Sequence, residues 1–146
     1  MKIDTKKPYV IYIAEIIYTY ISIIKKENPN IETKEAINKF IETSDFNKLS
    51  SGKIHNDWFN ELKKNNYQDQ ETGKQIPEET IKLLEIQRDA TIRQLVKTPK
   101  LYEKKNNTLI EASNRAYQFL WRMCESYELW CKETGQFEQL ILKITD

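Results

Sequence analysis

The stretch from Pro8 to Glu27 reads PYVIYIAEIIYTYISIIKKE, and its polar members Glu15, Thr19, Ser22 and Lys26 recur at i, i+4, i+7 and i+11. That spacing lays one narrow polar stripe along an otherwise apolar cylinder, the pattern of a helix largely buried in a bundle. The run is apolar enough to raise the question of a membrane span. It falls short of the ~20 residues a span needs, however, and Glu15 sits in its middle. Lys2, Lys6 and Lys7 precede it, yet no small-residue cleavage site follows, so no signal peptide is expected.

The punctuation continues in the same manner along the chain. Pro8 opens the first helix and ENPN closes it. Thr33 is placed to cap a second helix with Ala36, Ile37, Phe40 and Ile41 on one face. SSGK reads as a turn, after which Ile54, Trp58, Phe59 and Leu62 return at helical spacing. NNYQDQETGKQ is a polar loop and the segment expected to be most mobile. Pro77, Glu78 and Glu79 begin a long helix with proline and acids at its positive end. Thr98–Pro99 is expected to end that helix near Val96. Thr108 and Glu111 form a T-x-x-E capping box ahead of a helix running to Thr134, with Gly135 as its C-terminal cap. FEQLILKI, near the C-terminus, is read as a final short helix. No strand pair with a hairpin turn and no internal repeat is visible. The expectation is an all-α, single-domain helical bundle of about five to seven helices spanning residues 1–146.

Two of these helices carry more than a simple core face. On the last, Leu109, Ala112, Ala116, Leu120, Met123, Tyr127, Trp130 and Cys131 share one broad apolar face. Ile110, Tyr117 and Trp121 form a second stripe on its shoulder, beside Asn114, Glu125 and Glu128. Either another helix covers that shoulder or it is a contact surface. On the helix from Pro77, Ile81, Leu84, Ile92 and Leu95 make an apolar stripe with Arg88 in its middle. A guanidinium there needs a carboxylate or several carbonyls. It serves either as an internal ion pair that sets the packing or as an interface arginine. Leu83, Ile86 and Ala90 form another stripe, extended by Arg93 and Lys97, so this helix is expected to lie between two layers.

Composition changes this picture little. With 146 residues, 39% hydrophobic and 31% charged, the chain has the make-up of a soluble globular domain. A net charge of +1 gives no global attraction to nucleic acid or anionic membranes. Arg88, Arg93, Arg115 and Arg122 are the arginines among 23 basic residues. That lysine bias, with abundant isoleucine and asparagine, resembles AT-rich coding in bacteria and their mobile elements. Charge is nevertheless uneven: from Lys82 to Lys105 seven basic side chains face three acidic ones. Arg93, Lys97, Lys100, Lys104 and Lys105, with Tyr102 to stack, form a candidate nucleic-acid surface.

Candidate chemistry is sparse. Cys124 and Cys131 stand about 10.5 Å apart along one helix, beyond the roughly 7 Å a disulfide tolerates, so both are expected as buried reduced thiols. Two cysteines and one distant histidine fall below the ligand count of a zinc site, so no metal and no cofactor are expected. His55 has no nucleophile motif beside it and is read as a surface or capping histidine. No phosphate-binding or hydrolase motif occurs. The functional expectation is a small cytoplasmic interaction protein of bacterial or phage type, regulatory, inhibitory or accessory in role. It would bind a protein partner or a second copy of itself without catalysis, through Tyr117, Trp121 and Arg88. Nucleic-acid binding through the basic 82–105 segment is the alternative.

Overall fold

A computed structural model describes residues 7–69, 72–102 and 106–136, with side chains in the last two helices described only up to residue 96 and from residue 118. The described residues form six helices: α1 (Tyr9–Glu27), α2 (Thr33–Ile41), α3 (Ser44–Ser50), α4 (Lys53–Lys64), α5 (Glu78–Tyr102) and α6 (Asn106–Glu133). Sheet structure among them is limited to one antiparallel bridge, Gln68 to Gln75. The chain is an all-α bundle, as its periodicity requires. None of the described helices is long and apolar enough to cross a membrane.

The bundle is organised around α1. Tyr9, Ile13, Ile17 and Ile21 recur every four residues and all are fully buried. Side chains at that spacing stack on one helix face, and this row is the axis on which α2, α5 and α6 pack. Burying each isoleucine contributes about 1.5–3 kcal/mol, so the row is a large share of the core. Pro8 begins the helix as expected, its carbonyl accepting from the Tyr12 N–H at 2.9 Å. In α2 the anticipated face Ala36, Ile37, Phe40 and Ile41 is buried. Thr33, expected as the cap, is instead the first helical residue, and its hydroxyl accepts from Lys25 Nζ at 2.7 Å.

Helix α3 is not foreseen in the sequence. Thr43 caps it, its hydroxyl accepting from the Phe46 N–H at 3.3 Å. The short helix delivers Phe46 and Leu49 to the core, where Phe46 meets Phe40 edge to face at 5.5 Å. The SSGK turn follows, and Gly52 adopts φ +88° there. That left-handed conformation is cheap only for glycine. A Cβ at this position would stand 3.5 Å from Ile92 of α5. The corner between α3 and α4 therefore sits close against α5.

The ends of the long helices depart from expectation on one side only. α5 continues through Pro99 to Tyr102. A proline inside a helix removes one backbone bond and favours a kink, and here it does not terminate the element. α6 begins at Asn106, ahead of the anticipated Thr108. Its other end matches: Gly135 has φ +75°, Gln136 N–H bonds to the Cys131 carbonyl and Gly135 N–H to that of Lys132. These are the two bonds of a Schellman motif. The final segment expected as a helix, residues 137–144, lies outside the described residues.

Candidate functional site

The most elaborate polar arrangement is built where the first turn of α1 meets the α3–α4 corner. Tyr9 and His55 are both 0% exposed, and Tyr9 Oη lies 2.5 Å from His55 Nδ1. His55 Nε2 lies 2.8 Å from the Leu49 carbonyl, one of the last carbonyls of α3. A carbonyl only accepts, so Nε2 carries the proton and the neutral ring leaves Nδ1 to accept from the Tyr9 hydroxyl. His55 is thus a capping histidine, but a buried one, which corrects the surface reading. A signal for this was present: His55, Trp58, Phe59 and Leu62 fall at i, i+3, i+4 and i+7, so the histidine belongs to the apolar face of α4.

Aromatic rings and one guanidinium enclose the pair. Trp58 and Phe59 lie against Tyr9 at 5.5 and 5.4 Å between ring centroids. Arg88 of α5 sits over the Phe59 ring, 4.9 Å from its centroid, and its Nε donates to Asp89 at 3.1 Å. The buried Thr91 hydroxyl contacts the Tyr9 oxygen and also bonds to the Gln87 carbonyl at 2.8 Å. Burial pushes His55 below its ordinary pKa, the Arg88 charge acts in the same direction and the Leu49 carbonyl opposes it. Burial likewise holds the Tyr9 hydroxyl well above the usual tyrosine range, which Thr91 and Arg88 offset only in part. Both groups are kept neutral.

A second polar seam joins α1 to α6. Lys7 pairs with Glu15 at 2.5 Å and lies 5.7 Å from the centre of the Trp130 ring. The Tyr127 ring meets that of Tyr18 at a tilt, 5.0 Å between centroids, and its hydroxyl is raised above its ordinary range by burial first, then by Cys131 and Glu15. Trp130, expected in the core, is only half-buried, and Lys7 lies over its ring. Cys124 and Cys131 are free and buried. Burial, with Glu128 and Glu125 adding to it, drives the Cys124 thiol well above its usual pKa, which leaves it a poor nucleophile. Among the described residues no cluster of three or more His, Cys, Asp or Glu is placed to hold a metal ion.

The structure distributes the sequence-predicted contact residues over different surroundings. Arg88 faces inward from α5 and is engaged by Phe59 and Asp89. Trp121 is half-buried on α6 and packs against the core. Arg93 is exposed. The side chains of Tyr117, Lys97 and Lys100 lie outside the described residues, as do Lys104 and Lys105 altogether.

The second stripe of α5 was expected to be covered by another layer; among the described residues its Leu83 and Ile86 stand open and Ala90 is half-buried. Leu83 is 66% and Ile86 63% exposed. With Thr80, Leu84, Gln87 and Ala90 they line a shallow groove of about 310 Å³. Glu78 and Glu79 stand exposed at its N-terminal end and Arg93 at its C-terminal end. Comparison with protein families, curated proteins and solved structures finds no match.

Proposed function

We propose that this chain is a small, non-catalytic interaction module of the cytoplasm, regulatory, inhibitory or accessory in role and of bacterial or phage type. It acts by engaging a protein partner or a second copy of itself. The observation that carries this reading is the uncovered Leu83–Ile86–Ala90 stripe of α5. Two large aliphatic side chains held open on a regular helix, with charges at both ends, have the character of a contact surface. The interior supports the same reading. The groups with the chemistry of acids, bases or nucleophiles, Tyr9, His55 and Cys124, are sealed in the core and held neutral.

Affinity capture from host cells tests the proposal, using the native chain and the double variant Leu83→Lys/Ile86→Lys, each with and without nuclease. The expected result is a protein retained by the native chain, insensitive to nuclease and lost with the variant. Both positions are exposed, so the variant's thermal melt should match the native one. Nuclease-sensitive capture overturns the reading in favour of the basic segment. In that case, replacing Arg93, Lys97, Lys100, Lys104 and Lys105 by glutamine should flatten the salt dependence by about one log–log unit per lost phosphate contact.

A further inference from the structure

We infer that the occupant of the α5 stripe is the same stripe of a second copy, with the two α5 helices antiparallel about a twofold axis near Ile86. This rests on the reading of the chain as an interaction module and names its partner. Leu83, Ile86 and Ala90 follow one another at spacings of three and four, so they define a straight seam on the helix. Glu79 and Arg93 sit on the same line, one beyond each end, and both are exposed.

The seam is complementary to itself in one direction only. Two copies laid parallel set Glu79 against Glu79 and Arg93 against Arg93. Turned antiparallel, the acidic end of each meets the basic end of the other, and the pair forms twice by symmetry. Size matches as well. Ile86 lies at the axis and meets its own copy, while Leu83 and Ala90 lie on either side of it, so the large residue of one copy faces the small residue of the other. From Glu79 to Arg93 the helix rises about 21 Å. That is enough for one helix-to-helix contact of the smaller, reversible class. A net charge of +1 per chain leaves little repulsion between whole molecules to oppose it.

Sedimentation of the purified full chain over a wide concentration range tests this without reference to any other partner. The native protein should move from monomer towards dimer as concentration rises. Leu83→Lys/Ile86→Lys should weaken that association by at least about 100-fold, the effect of losing a central anchor. Glu79→Lys or Arg93→Glu alone should weaken it about 3- to 10-fold by placing like charges at both ends. Glu79→Lys with Arg93→Glu in the same chain should restore it, which a parallel or unrelated contact does not predict.

A native chain that stays monomeric at every concentration overturns the inference. Capture of a different protein through the same stripe would still uphold the proposed function. A dimer that survives Leu83→Lys/Ile86→Lys also overturns it, because the contact then lies elsewhere. A dimer lost in that variant but indifferent to the charge exchange overturns the antiparallel arrangement.

Discussion

Tyr9 and His55 form the most consequential residue pair in the molecule. Each satisfies the other's polar atoms in a place that excludes water, and His55 also occupies a carbonyl that α3 leaves unpaired at its end. Tyr9→Phe keeps the ring and its packing but leaves Nδ1 buried without a donor. We expect a loss of about 1–3 kcal/mol, measured by denaturant unfolding. The pair also makes stability depend on pH. His55 has a folded pKa below its ordinary value of 6.5, so the unfolded chain takes up the proton first as pH falls. Its contribution is therefore complete above that value and declines as pH drops through it, levelling off below the depressed folded pKa. Unfolding free energy measured between pH 8 and 5 should fall on acidification. In His55→Asn the part of that slope due to this group should vanish.

Elements differ in how far local signals account for them. α1 and the C-terminal end of α6 follow directly from a proline, a glycine and a clear apolar period, so their bounds match the expectation. α3 is short, with only Phe46 and Leu49 as buried anchors, and too little periodicity to reveal it. Its dependence on a cap is correspondingly high. Thr43→Ala should cost about 1 kcal/mol in thermal or chemical unfolding. The passage of α5 through Pro99 is the opposite case, in which an adverse local preference does not decide the boundary. On α6 the two tryptophans exchange their expected weights. Trp121 packs on the core and Trp130 carries Lys7 at the rim. Trp121→Ala should therefore give the larger loss in paired melts, on the order of 3 kcal/mol, and Trp130→Ala clearly less.

At the scale of the whole molecule, Tyr9, His55 and Cys124 are buried while Leu83 and Ile86 stand exposed on α5. If two copies join through α5, folding and association are linked. The thermal midpoint should then rise by a few degrees over a hundredfold increase in concentration. Leu83→Lys/Ile86→Lys should flatten that dependence while leaving the dilute-limit midpoint in place.

Helix class, the order of the main elements, the buried faces of α1 and α2 and the Gly135 cap were legible from the amino acids alone. Each depends on residues within about four positions of one another, where periodicity and capping act. The candidate surface was legible only in part: Leu83, Ile86 and Ala90 stood out as a second stripe, but periodicity records that a face is apolar and not whether anything covers it. The burial of His55, the inward engagement of Arg88 and the open state of the α5 stripe were decided by tertiary structure. Tyr9 and His55 are 46 positions apart, and nothing local links them. Their meeting exists only because α1 and the α3–α4 corner share a core, and desolvation by that core sets their protonation.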